Sequence, residues 1–162
     1  MEHGETHKDI LLTTTLIADR YEIQRPLGRG GMGAVFLARD MRFQGRLVAL
    51  KENLDRSPEA QEQFRLEAEV LATLYHPHLP AVTDHFILPD GRQFLVMNYV
   101  DGETLEDYTR EHGPAPEAQV LRWAAQVLDA LAYLHAQTPP VIHRDVKPSN
   151  IRITSRGDAV LV

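Results

Sequence analysis

The eight residues HRDVKPSN, His143 to Asn150, gather a carboxylate, an ammonium and a carboxamide in one short stretch. A carboxylate can orient a hydroxyl nucleophile and take its proton, an ammonium can steady phosphate charge, and an amide oxygen can hold a metal ion. Asp145, Lys147 and Asn150 are the candidates for those three tasks. A second group stands upstream, where Gly28, Gly30 and Gly33 have GxGxxG spacing with Val35 after them. Glycines in a turn are commoner than nucleotide sites, so context decides. A dinucleotide fingerprint needs a helix after the glycines, whereas a flap over nucleotide phosphates needs another strand. Here AVFLA and the turn RFQGR follow, which read as strand and turn, and no helix fits before the acid Glu52. Lys51 closes the run VALK just ahead of a helix that carries Glu67 on its apolar stripe. An inward carboxylate needs a cation, and a Lys51–Glu67 pair would hold the helix while the ammonium meets phosphate.

The elements that must position these groups can be read from periodicity and punctuation. From Tyr21 onward YEIQRPLG, AVFLA and RLVALKE are short apolar or alternating runs separated by GRGGMG and RFQGR, which predicts three antiparallel strands. Ser57 and Pro58 supply an N-cap and a first-turn proline for a helix running to about Leu74. Ala60, Phe64, Ala68, Leu71 and Leu74 form its inward stripe, with Glu67 among them and Glu62 and Glu69 facing water. AVTDHFIL and QFLVMNYV flank PDGR as a hairpin, giving five strands and one helix. After Val100 the texture changes. LEDYTREH reads as a short helix, and PEAQVLRWAAQVLDALAYLHA as a long one with Val120, Ala124, Val127, Leu128, Leu131 and Leu134 inward. Trp123 and Tyr133 fit core positions better than cofactor contacts. The last stretch, VIHRDVKPSNIRITSRGDAVLV, returns to short strands around a polar loop, and residues 1 to about 20 read as a tail.

Composition excludes several classes. With 162 residues, 43% hydrophobic and 25% charged, the chain matches one soluble globular domain and not a disordered or collagen-like polymer. A net charge of -6 gives no general attraction to nucleic acid or an anionic membrane, so any phosphate site is local. The absence of cysteine removes disulfides, thiolate metal sites and cysteine nucleophiles, and fits a cytoplasmic protein. Apolar runs such as FLVM are too short to span a bilayer, and MEHGETHKD lacks the order of a signal peptide. The pair His76 and His78 has no third ligand at metal-site spacing.

Taken together, the glycine motif, VALK with Glu67 and HRDVKPSN resemble the eukaryotic-type protein kinases, and in texture their bacterial serine/threonine members, from Tyr21 to Val162. The resemblance implies an α+β kinase-like fold, with a five-stranded antiparallel N-lobe sheet and one helix over 21–97. The hinge, first C-lobe helices and catalytic loop would then occupy 98–162. It implies that Leu27, Gly28, Gly30, Gly33, Val35 and Ala49 cover ATP, that Lys51 pairs with Glu67, and that Met97, Asn98 and Val100 belong to the gatekeeper and hinge. Asp145 would be the catalytic aspartate, Lys147 its companion typical of serine/threonine specificity, and Asn150 a Mg2+ ligand. His143 would brace the loop and Arg144 would hold an activation-loop phosphate. The partners implied are ATP and a protein substrate, with no nucleic acid and no membrane segment in this stretch.

Two departures from the family pattern stand out. Arg152 occupies a position that usually carries an apolar floor under adenine, where a guanidinium can stack on the purine or swing out to a carboxylate. Family spacing from Asp145 would place the aspartate of a DFG motif one residue beyond Val162, so this stretch alone is expected to lack activity and to self-associate through the long helix. A short pseudokinase acting as a nucleotide- or partner-binding module, and a small-molecule phosphotransferase, are the alternative readings.

Overall fold

Two consecutive left-handed residues, Ala18 (φ 52°) and Asp19 (φ 51°), turn strand β1 (Leu16–Ile17) back onto β2 (Tyr21–Arg29). Such a turn matches the twist of a tight hairpin. The structure is a computed structural model that describes residues 15–30 and 33–162; most of the expected N-terminal tail, and Gly31 and Met32 of the glycine motif, lie outside them. The hairpin adds a strand to those expected. With β3 (Gly33–Asp40), β4 (Arg46–Asn53), β5 (Val82–Ile87) and β6 (Gln93–Asn98), it forms a six-stranded antiparallel sheet, not a five-stranded one, in the order β1-β2-β3-β4-β6-β5. The sixth strand escapes a sequence reading because it is two residues long and its turn contains no glycine or asparagine.

Strand alternation sorts β4 into two faces. Val48 and Leu50 point into a core with Tyr21, Phe36, Phe94 and Val96. Ala49 and Lys51, opposite Met97 and Leu95, take the other face, where Leu95 packs against helix α1 (Pro58–Leu71). The Ser57 hydroxyl caps that helix by accepting the Ala60 N–H at 3.3 Å, and Pro58 occupies its first turn. Phe64 and Ala68 are its buried residues, the first contributing about 2 kcal/mol by removal from water. The helix stops at Leu71 and not Leu74, because the Tyr75 N–H goes to the Tyr133 hydroxyl (3.0 Å) and not to a helical carbonyl.

A polar clasp closes the same unit. The Arg20 guanidinium donates to both oxygens of Asp40 (2.9 and 2.7 Å) and to Asp84 (2.8 Å), and Asp84 also accepts the Tyr21 hydroxyl (2.9 Å). Burial and then Asp84 push the Tyr21 hydroxyl well above the ordinary tyrosine range, while the Arg20 partner holds Asp40 below the usual carboxylate range.

The described chain divides into two compact units, one ending at Ala72 and resuming over Val82–Tyr99, the other made of Thr73–Ala81 with Val100–Val162. In the second unit, β7 (Glu103–Thr104), β8 (Ile151–Ile153) and β9 (Ala159–Leu161) form a small sheet beside α2 (Leu105–His112) and α3 (Glu117–His135). Ile151, Ile153, Ala159 and Leu161 pack against Trp123 and Val127. The buried stripe of α3 is Trp123, Val127, Ala130 and Leu134, so the helix is rotated from the expected face, leaving Ala124 exposed, Val120 47% exposed and Leu128 63% exposed. Polar anchors set that rotation. Trp123 Nε1 donates to the Gly157 carbonyl (2.9 Å), Gln126 Nε2 donates to Asp158 (2.8 Å), and Gln126 Oε1 accepts the Ala159 N–H (2.8 Å).

Candidate active site

In the first unit, β2 and β3 run directly into the glycine turn, with Gly28 opposite Val35 and Arg29 opposite Ala34. The Gly30 N–H donates to the Gly33 carbonyl at 2.9 Å. A side chain at Gly33 would press on the Glu52 carbonyl at 3.1 Å, so the neighbouring strand itself asks for glycine there. At Gly28 and Gly30 an added Cβ meets nothing within 4 Å among the described residues. Among the described residues no steric contact accounts for those two glycines, and their open backbone leaves room for close approach.

Lys51 sits opposite both Val35 and Leu95, and its ammonium lies 3.7 Å from Glu67 Oε1. Glu67 is not the buried carboxylate expected from its stripe: its side chain is 49% exposed, and that of Lys51 36%. The stripe is narrower than the wheel implies, since Glu67 stands at the flank of Phe64 and Ala68. So long and wet an ion pair contributes little to folding. Ala49 is buried, while Leu27, Val35, Met97, Asn98 and Val100 are half-buried. The Asn98 carboxamide oxygen accepts from the Arg46 guanidinium, so this side chain is tied back to β4.

In the second unit, Arg144 adopts φ 66°, an unusual conformation for a side-chain-bearing residue, and the following Asp145 N–H faces His143 Nδ1 at 3.4 Å. Asp145 Oδ2 accepts from Lys147 Nζ at 2.9 Å and from Asn150 Nδ2 at 2.8 Å. Asn150 Nδ2 also reaches the Asp145 carbonyl at 2.8 Å. Asn150 is itself pinned by its carbonyl, which accepts the Val162 N–H at 2.9 Å beyond β9. The hydrogen bond from Lys147, and then that from Asn150, hold Asp145 below the usual carboxylate range. The carboxylate therefore stays ionised and able to accept a proton at neutral pH. With Nδ2 committed to Asp145, Asn150 Oδ1 is the atom that suits a hard cation.

The other singled-out residues have structural partners. His76 Nε2 faces Asp129 (3.1 Å) and its ring packs on Tyr133, while His78 Nδ1 meets the Ala159 carbonyl at 2.8 Å. Arg152 lies between two core isoleucines of β8, and its guanidinium donates to the Gly102 carbonyl. Sequence reasoning passed over Gly102 entirely. Its φ is +100°, and a Cβ there would fall 2.0 Å from the Ile153 carbonyl oxygen. A DG pair after a strand was the available signal.

The Protein kinase domain family profile matches residues 21–162. The chain belongs to the protein kinase family. Its kinase relatives include serine/threonine-protein kinase PknB of Mycolicibacterium smegmatis, 40% identical over 157 residues that cover 94% of this chain and 25% of that protein. PknB of Mycobacterium leprae is 39% identical over 150 residues, 90% of this chain and 24% of that protein. A probable PknB of Lactococcus lactis is 34% identical over 145 residues, covering 88% and 23%. The kinase-family chain thus spans about a quarter of the length of these relatives. Among its described residues, no helix is long and apolar enough to cross a membrane.

Proposed function

We propose that the protein carrying this chain is a serine/threonine kinase that transfers a phosphoryl group from ATP to a protein hydroxyl. The observation that carries the reading is the catalytic loop, in which one carboxylate oxygen of Asp145 is held by both Lys147 and Asn150. Asp145 orients the substrate hydroxyl and takes its proton, and Lys147 neutralises charge developing beside it. Asn150 Oδ1 would hold Mg2+. The open glycines Gly28 and Gly30 and the accessible Lys51 ammonium suit an anionic nucleotide. Leu27, Val35, Ala49, Met97 and the backbone of Asn98 to Val100 would receive its base. When bound, MgATP supplies the phosphoryl group and the charge neutralisation for its transfer. Dependence on ATP and the lack of cysteine favour a cytoplasmic reaction. In this reading 21–97 is the N-lobe and 98–162 opens the C-lobe.

The test is transfer of labelled phosphate from ATP to serine- and threonine-containing protein substrates by the full protein. Lys51→Met is expected to lower transfer about a hundredfold, yet to change thermal stability by no more than about 0.5 kcal/mol, because the ion pair it breaks is exposed. Parallel melting curves and kinetics check this. A loss of transfer explained by unfolding would remove the assignment.

Arg152→Leu supplies a second check. The guanidinium holds the Gly102 carbonyl, and leucine would restore the apolar residue usual at this position. ATP affinity is expected to shift by roughly threefold or more in titration calorimetry. An unchanged affinity would separate Arg152 from the nucleotide.

A further inference from the structure

Strand β5 is an edge strand whose residues alternate between two faces. Phe86, opposite Phe94, belongs to the face away from α1, whereas His85, opposite Leu95, falls on the face that α1 covers. The His85 ring centroid lies 5.9 Å from that of Phe64, one of the two buried residues of α1. Its Nε2 is shielded from solvent and has no hydrogen-bond partner among the described residues. A protonated imidazole has two N–H donors, and this seat offers Nε2 no acceptor.

The charges around His85 do not compensate. Arg65 and Glu69 face it from α1, Asp84 lies beside it on β5, and opposite it on β6 stands the uncharged Leu95. Glu69 is already paired with Arg65, which also binds Glu62 at 2.6 Å. Asp84 is engaged by Arg20 and Tyr21. Burial consequently outweighs both carboxylates and lowers the histidine pKa from its ordinary value.

We propose that His85 is a pH-sensitive seat for α1: the neutral ring accepts the helix, and the protonated ring releases it, withdrawing Glu67 from Lys51. The consequence for nucleotide binding rests on the reading of Lys51 given above. With only Phe64 and Ala68 buried, α1 is lightly held and can lift without global unfolding. In the lifted form water reaches the ring, whose pKa returns to about 6.5. Protons therefore bind the lifted form more tightly. Docking is complete above that ordinary pKa and weakens as pH falls from it toward the lowered value.

The test follows the His85 ring by NMR in the full protein without nucleotide, together with amide-exchange protection of α1 referenced to β4 in the same sample. The ring is expected to titrate below about pH 6.5, and α1 protection to fall with it. In His85→Leu, α1 protection is expected to be insensitive to pH. Titration of the native ring at or above the ordinary value overturns the proposal, and so does the same pH response of α1 in the variant. The native measurement decides even where the variant fails to fold. ATP affinity is read separately. It is expected to fall about threefold between about pH 7.5 and about pH 5.5 in the native protein, relative to His85→Leu, in which the nucleotide's own protonation is the same. A pH-sensitive α1 in a protein that binds no ATP upholds the seat and removes the Lys51 reading. Normal ATP binding with a pH-insensitive α1 does the reverse.

Discussion

Replacing Asp145 with asparagine is expected to lower the rate of phosphoryl transfer by about a thousandfold while leaving the fold and ATP affinity intact. The side chain is 60% exposed and belongs to no core, so the loop loses no packing with the substitution. An amide of the same shape can still meet Asn150, but it carries no negative charge to hold Lys147 and cannot take a proton from a hydroxyl. Because Lys147 and Asn150 hold the carboxylate below its usual pKa, Asp145 remains ionised as pH falls through the ordinary aspartate range and is neutralised only at still lower pH. Single-turnover kinetics with the full protein separate the outcomes. A fall in kcat at constant ATP affinity supports the role, and a tenfold smaller effect would make Asp145 a loop brace.

Gly102→Ala is expected to produce the largest loss of stability of any single methyl addition in the second unit, roughly 2–4 kcal/mol. Two independent costs meet at this residue. Its φ of +100° is one that side-chain-bearing residues rarely adopt, and the new methyl would lie 2.0 Å from the Ile153 carbonyl oxygen and 3.0 Å from the Thr154 Cα. The obstacle is backbone of the β7–β8 ladder, where Glu103 pairs with Ile153, so it cannot turn aside as a side chain would. Arg152 and Ser155 tie the same corner, the first to the Gly102 carbonyl and the second to Asp101 at 3.1 Å. Denaturant melts should show a lowered midpoint. A variant as stable as the native chain would mean that this corner opens freely.

Much of this architecture is legible in the sequence because it depends on local rules. The alternation of RLVALKE places Lys51 and Leu50 on opposite faces, and Ser57-Pro58 marks the start of α1. HRDVKPSN folds into one hydrogen-bonded loop because its polar groups are close in the chain. What escaped depends on distant partners. Trp123 turns α3 toward Gly157, 34 residues away, so Val120 and Leu128 lose the core positions their spacing suggested. Glu67 looked buried on a helical wheel, yet the sheet beneath α1 meets only the Phe64 and Ala68 side of it. The sixth strand depends on backbone angles at Ala18 and Asp19 that neither residue advertises.

The chain's path through its two units has a consequence for the order of folding. Thr73–Ala81 belongs with Val100–Val162, although Val82–Tyr99 lies between them in the sequence and belongs to the other unit. The carbonyl of His78 waits for the N–H of Leu161, and the ring of His78 for the carbonyl of Ala159. During synthesis Tyr75 and His76 can meet Tyr133 and Asp129 once α3 has emerged, but His78 must remain unpaired until β9 follows more than eighty residues later, a long loop to close. The β5–β6 hairpin can complete its own sheet in that interval, while β9 joins β8 later.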